Sequence, residues 1–127
     1  MMRAMNHPTT TVYGIPHCDT VKKARAWLQS QGVAYEFHDF KKQGVPEAEL
    51  DHWLKTVGWE VLVNRKGTTW RQLDANAQAA VVDAASARRQ LMATPSLIRR
   101  PVLVADRKQV VVGVNPEGWD AVKSSVS

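Results

Sequence analysis

Hydrophobic and polar positions change period along this chain, and each change predicts an element. Residues 9–15 carry threonines, Val12, Tyr13 and Ile15, a β-branched and aromatic run that predicts a strand. Gly14 and Pro16 break that run into a loop. From about Thr20 to Gln31 the apolar positions Val21, Ala24, Trp27 and Leu28 recur on one helical face, with Lys22, Lys23 and Arg25 off it. Gly32 then stands where a helix C-terminal cap belongs. Val33, Tyr35 and Phe37 alternate with Ala34, Glu36 and His38, the period of a half-buried strand. The first forty residues therefore read as a β-α-β unit, with a parallel strand pair and a right-handed crossover.

The middle of the chain is helical. Pro46 is placed to start a helix whose buried face is Leu50, Trp53, Leu54 and Val57, and Gly58 ends it. Asn64, Arg65, Lys66 and Gly67 form a basic turn. Asp74 and Ser86 are expected to N-cap two further helices, through about Ala84 and Met92. The last third alternates again. Val102, Leu103 and Val104 face Val110, Val111 and Val112 across a polar turn at residues 106–109, which predicts a hairpin. Asn115, Pro116 and Glu117 open a last helix carrying Trp119 and Val122. The order β-α-β, helical block, β-β-α fits a four-stranded mixed α/β sheet flanked by helices, the thioredoxin-like arrangement with a helical insertion at about 46–93. Residues 1–10 are expected to be a flexible lead, residues 11–122 the folded domain, and residues 123–127 a fraying tail.

Composition narrows the classes. At 127 residues with 44% apolar and 23% charged, the chain has globular usage and enough length for one core. Seventeen Lys and Arg against twelve Asp and Glu give +5, an excess that favours anionic partners without requiring nucleic acid. No run reaches the roughly 18 apolar residues of a membrane span, and the N-terminus lacks the apolar core of a signal peptide. With a single cysteine, Cys18, the chain can form no internal disulfide. The expected location is the reducing cytoplasm.

Cys18 falls in the turn between the first strand and the first helix. A sulfur there meets unpaired N–H groups and the positive end of the helix dipole, which favour a thiolate. Lys22, Lys23 and His17 add positive potential, and Asp19 opposes it. The competing reading of a lone cysteine is a small apolar core residue; its position favours chemistry. Residues 15 and 21 are Ile15 and Val21, so there is no Cys-x-x-Cys, and any disulfide must form with an outside thiol. His7, His17, His38 and His52 lack metal-site spacing, so no metal is expected. Arg88 and Arg89, within a helix, read as a solvated face. Arg100 immediately precedes Pro101 and a strand, which in a thioredoxin-type sheet sets that proline beside the active-site loop, often after a cis peptide. Arg100 would then face the thiol. Trp27 and Trp53, at helical spacing, read as core.

Tyr13, Gly14 and Ile15, with the run from Cys18 to Leu28, resemble the active-site strand and helix of the arsenate reductase-like (ArsC/Spx) family. The resemblance extends to Asn64, Arg65, Lys66, Gly67 and Thr68, and to the stretch from Pro95 to Val102. It covers about residues 11–122 and is nearest to the YffB-like branch. It implies a thioredoxin-like fold with a helical insertion and a single nucleophilic cysteine that falls on Cys18. Of the three arginines that hold the oxyanion in glutaredoxin-coupled arsenate reductases, two match Arg65 and Arg100. The third falls near residues 113–115, where there is no arginine, and the family's histidine four residues before the cysteine is matched by Gly14. Both departures weigh against arsenate reduction itself.

The function expected from the resemblance is a thiol-dependent reductase with glutathione as co-substrate, no bound cofactor, and glutathione or glutaredoxin as partner. Cys18 would be the nucleophile, and Arg65 and Arg100 would converge on it to bind substrate charge. The loop amides around Asp19 and Thr20 would stabilise the reacting atom, and Pro101 would border the site. The alternative is an RNA polymerase-binding regulator of the Spx type without a Cys-x-x-Cys switch. A monomer without membrane or direct double-stranded DNA binding is expected in either case.

Overall fold

Four strands form one mixed sheet in the order β2-β1-β3-β4. The structure, a computed structural model, describes residues 10–106 and 108–126. Strand β1 (Thr10–Gly14) pairs parallel with β2 (Glu36–Asp39), setting Val12 against Phe37. On its other side β1 pairs antiparallel with β3 (Val102–Ala105), which pairs antiparallel with β4 (Gln109–Val112). Asp106 at φ 58 makes the hairpin turn, in the left-handed region that aspartate tolerates better than most residues. Helix α1 (Asp19–Ser30) connects the parallel pair as a crossover. After β2 the chain runs through α2 (Phe40–Gln43), α3 (Glu47–Val57), α4 (Trp59–Leu62), α5 (Thr68–Gln72), α6 (Ala75–Ala79) and α7 (Ala84–Ala93). A short 3-10 turn, Pro95–Leu97, precedes β3, and α8 (Pro116–Val126) follows β4.

These elements form two compact units. The first holds the sheet with α1, α2 and α8; the second is Gly44–Arg99. In the first, Val12, Leu103, Ala105 and Val111 from the strands meet Val21, Ala24 and Leu28 of α1 and Trp119 and Val122 of α8. Trp27 packs on that core with its ring 5.6 Å from the Trp119 ring, as its helical spacing predicts. The aromatic rings of Tyr13, His38 and Phe40 cluster separately, with Tyr13 and His38 centred 5.0 Å apart. In the second unit Leu50, Trp53, Leu62, Leu91, Leu97 and Ile98 are fully buried. There Val63 and Ile98 form an isolated antiparallel bridge, flanked by bonds from Asn64 N–H to the Leu97 carbonyl and from Arg99 N–H to the Leu62 carbonyl.

Several sequence expectations need correction. The alternation from Val33 is not yet a strand. Val33 N–H closes a bond to the Leu28 carbonyl at 3.0 Å, so Val33 belongs to the capping turn of α1, and pairing begins only at Glu36. Ser86 is not an N-cap. Asp83 caps α7, and Ser86 sits at the third helical position of a reciprocal capping box. Asp74 does cap α6, accepting from the Ala77 amide at 2.7 Å, but that helix ends at Ala79. Arg88 is no mere solvated face: its Nε donates to Asp51 at 2.6 Å, tying α7 to α3. Thr10 is not part of a lead, for it is buried in β1; residues 1–9 lie outside the described residues. The helix at the C-terminus continues to Val126, and Lys123 Nζ donates to Gln31 Oε1 at 2.7 Å, so Lys123 is not a loose tail.

Candidate active site

Cys18 is the N-cap residue of α1, with extended backbone (φ −80°, ψ 126°). Its N–H donates to the Ile15 carbonyl at 3.1 Å, and its own carbonyl accepts the first helical bond from Lys22. Those two bonds fix the turn after β1 and aim the side chain at the start of the helix, where donors are unspent. The thiol is half-buried, packed in part against the core of its unit. It is therefore neither a fully buried apolar cysteine nor a freely solvated one.

Three kinds of group act on the sulfur. Thr20 Oγ1 stands 3.0 Å from Cys18 Sγ. The amides of Val21 and Thr20 favour the charged sulfur without making a capping hydrogen bond to it, and the positive charge of Arg100 acts on it. Partial burial pushes the thiol up. The Thr20 hydroxyl, the Val21 amide, the Arg100 charge and the Thr20 amide together outweigh it and hold Cys18 below the ordinary cysteine range. The charge that matters is therefore Arg100's, from a segment 82 residues away in sequence, rather than that of Lys22 or Lys23, both exposed. The amides that favour the thiolate belong to Thr20 and Val21, one residue later than expected. Asp19 is exposed in the first turn of α1.

The other wall of this site is the segment before β3. The Arg100–Pro101 peptide is cis, as anticipated for the proline beside an active-site loop. Thr20 Oγ1 donates to the Arg100 carbonyl at 3.0 Å, so one threonine touches both the sulfur and the proline segment. Arg100 is half-buried, and its Nε is buried with no hydrogen-bond partner among the described residues. Pro101 is buried, and its carbonyl accepts from Gly113 N–H at 2.8 Å. Gly113 has φ 77°, a conformation glycine adopts without strain. Gly14 is equally constrained, since a Cβ there would lie 2.6 Å from Val21 Cγ2 of α1.

Cys18, Thr20, Arg100 and Pro101 are thus brought together within the first unit. Arg65 belongs to the second, in the basic turn before α5, exposed with its guanidinium carbon 5.5 Å from the centre of the Trp59 ring. Among the described residues no group of three His, Cys, Asp or Glu side chains could hold a metal ion. No helix among them is long and apolar enough to cross a membrane. The sequence had marked Thr20 only as a loop amide. Its hydroxyl became visible as a bridge only when the fold set Arg100 beside it.

Residues 13–122 match the ArsC family. The chain belongs to that family. It is 42% identical to the solved structure of the YFFB (PA3664) protein, with a TM-score of 0.81 over 90% of this chain and 98% of that one. An arsenate reductase (ArsC) related protein from Brucella melitensis is 50% identical, with a TM-score of 0.69 over 89% of this chain and 92% of that one. The Regulatory protein MgsR of Bacillus subtilis is 31% identical over 84% of this chain and 83% of its own length. The fold is accordingly the thioredoxin-like one of the ArsC family. Two features of this member now have local reasons. Gly14 admits no side chain beside Val21, and Gly113, in the stretch where an arginine could have stood, is a left-handed residue holding the Pro101 carbonyl.

Proposed function

We propose that this ArsC-family protein is a glutathione-dependent thiol reductase in which Cys18 is the nucleophile. The observation that carries the reading is the Cys18 sulfur itself, at a helix N-terminus, bonded to Thr20 and under the charge of Arg100. Such surroundings favour the thiolate over the thiol, and the thiolate is the attacking species. Cys18 thiolate attacks the glutathione sulfur of a substrate's mixed disulfide with glutathione. A Cys18–glutathione disulfide forms, and the substrate leaves as a thiolate that takes up a proton. A second glutathione, as its thiolate, then attacks the bound glutathione sulfur, releasing glutathione disulfide and restoring Cys18 thiolate. In sum the substrate thiol is released and one free glutathione is oxidised, joining the glutathione taken from the mixed disulfide as glutathione disulfide, with glutaredoxin able to serve in the second step.

Arg100 suits the binding of the anionic groups that glutathione carries. Its fork is planar, and its buried Nε has no hydrogen-bond partner among the described residues. Arg65 is the second anion-binding side chain that the family resemblance adds. Incubation of the protein with glutathione disulfide, followed by intact-mass measurement, tests the reading. A single glutathione adduct should form on the native protein and be absent from Cys18→Ser. No adduct on either protein overturns it.

A second reading rests on the 31% identity with a regulatory protein. In it the protein binds RNA polymerase and Cys18 reports the thiol state of the cell without turnover. Catalytic cycling of a small glutathione mixed disulfide separates the two, since the regulator would stop after one equivalent.

A further inference from the structure

Helix α1 presents a second set of donors, away from Cys18. Arg25 lies half-buried with its guanidinium carbon over the Phe37 ring, 4.2 Å from the ring centre. Its Nε donates to the Tyr35 hydroxyl at 3.1 Å. Those two contacts hold the guanidinium against an aromatic platform. Its terminal nitrogens, Nη1 and Nη2, have no partner among the described residues, and no acidic side chain pairs with it. Tyr35 accepts from Arg25, so its own hydroxyl proton stays available to donate.

A cavity of about 420 Å³ opens over this pair, lined by Arg25, Gln29, Val33, Ala34, Tyr35 and Phe37. No lining residue is acidic, so the guanidinium meets no carboxylate among the lining residues; Gln29 adds one neutral side-chain amide. Val33, Ala34 and Phe37 supply the apolar part of the lining. The volume is within the range of ligand sites, but the cavity is a groove open to solvent, whereas small-molecule sites enclose most of their ligand. An open groove suits a side chain that arrives attached to a larger chain.

We propose that this groove binds an acidic side chain of a partner protein, a glutamate or aspartate flanked by an apolar residue. The carboxylate would take the two terminal nitrogens of Arg25 as a fork and the Tyr35 hydroxyl as a third donor, and the apolar neighbour would rest on Val33 and Phe37. The occupant is identified by charge complementarity. A rigid, unpaired arginine beside an unspent hydroxyl is satisfied by a carboxylate and by no neutral group as well. This inference is independent of the Cys18 chemistry.

The test is titration of the full-length protein with a blocked peptide, acetyl-Ala-Glu-Leu-Glu-Leu-Ala-amide, followed by NMR at the Arg25 Nε–H and at backbone amides of α1 and β2. Its glutamine counterpart, acetyl-Ala-Gln-Leu-Gln-Leu-Ala-amide, and free N-acetylleucine are titrated in parallel. The glutamate peptide should bind saturably and shift the Arg25 Nε signal, with the glutamine peptide roughly tenfold weaker or more. Arg25→Gln should remove that preference, Arg25→Lys should restore it only in part, and Tyr35→Phe should reduce it while the fold is kept. Equal binding of the two peptides, or an unchanged preference in Arg25→Gln, overturns the proposal. Binding of N-acetylleucine as tight as that of the glutamate peptide also overturns it, assigning the groove to small organic acids instead.

Discussion

The Thr20 hydroxyl oxygen lies 3.0 Å from the sulfur of Cys18, and the same oxygen donates to the Arg100 carbonyl at 3.0 Å. A hydroxyl has one proton. While it serves Arg100, the thiol must donate its own proton to the Thr20 oxygen. Ionisation removes that proton and leaves the single hydroxyl proton contested by the thiolate and the Arg100 carbonyl. The protonation state of Cys18 is thereby coupled to the segment that carries Pro101.

Replacing Thr20 should therefore raise the Cys18 pKa. A hydrogen bond donated to the thiolate favours the charged form, so its loss moves the midpoint up. Alkylation rate against pH measures the midpoint. Native protein should lie below the free-cysteine value of about 8.5. Thr20→Val should move upward, and Thr20→Ser, which keeps the hydroxyl, should stay near the native value. An unshifted Thr20→Val would mean that the two amides and Arg100 suffice.

The depressed thiol also makes stability depend on pH. A group whose folded pKa lies below its unfolded value contributes stability that is full above the unfolded pKa. That contribution is lost as pH falls through the folded pKa. Native protein should thus gain stability over Cys18→Ala as pH rises through the interval between the two values, about 8.5 marking its upper end. Paired melting curves at several pH values give the difference. A difference that stays flat across the interval, or shrinks as pH rises, would contradict the lowered thiol.

Local pattern carried most of the fold. The faces of α1 and α3, the β3–β4 hairpin and the cysteine at a strand-to-helix turn follow from side-chain period and turn residues alone. Failures came where a local signal had two readings. Val33 and Tyr35 alternate like a strand, yet the C-terminal cap of α1 claims Val33 first. Asp83 and Ser86 are both good capping residues, and only the reciprocal bonds decide which one caps. Short helices such as α4, with four residues, are too brief to show a period. The site is legible in Cys18 and Arg100, but the hydroxyl bridge joins residues 80 apart in sequence. No local pattern announces a contact of that kind.

Gly14 should tolerate no side chain. A Cβ would lie 2.6 Å from Val21 Cγ2, and Val21 is fully buried in the core, so the helix or strand must shift. Overpacking of this kind costs about 1–3 kcal/mol. Gly14→Ala should lower the melting temperature by several degrees, and Gly14→His by more. Gly32→Ala is a contrasting control, because its cost would come from a positive φ with nothing within 4 Å of the added carbon. A Gly14→Ala protein as stable as native would show that Val21 moves aside freely.

Arsenate should be reduced weakly or not at all in the presence of glutathione and glutaredoxin. The stretch 113–115 offers no arginine, and Gly113 is committed to a left-handed turn that holds the Pro101 carbonyl. Losing one preorganised charge contact typically costs on the order of 3 kcal/mol in the transition state, roughly two orders of magnitude in rate. A side-by-side assay with an arsenate reductase that carries all three arginines measures the deficit. Comparable turnover by the two would overturn the expectation.

Arg100 and Arg65 should differ in how they affect Cys18. Arg100 acts on the thiol by charge, so Arg100→Ala should both raise the Cys18 pKa and slow glutathionylation at neutral pH. Lysine at that position should restore the pKa better than the rate, because it keeps the charge and loses the fork. Arg65 is not among the groups that hold the Cys18 thiol down. Arg65→Ala should leave the pKa alone, and slow glutathionylation only if Arg65 binds a glutathione carboxylate, as the family resemblance implies. Stability separates the two as well. Arg65 is exposed, and its removal should barely move the melting temperature, whereas half-buried Arg100 loses packing too. Rates are therefore compared well below the melting range of every variant, over a salt series, with exposed Arg89→Ala as the control. Equal rates for native, Arg65→Ala and Arg89→Ala would remove Arg65 from the site. An Arg100→Ala protein with native pKa and native rate would remove the electrostatic part of the Cys18 reading altogether.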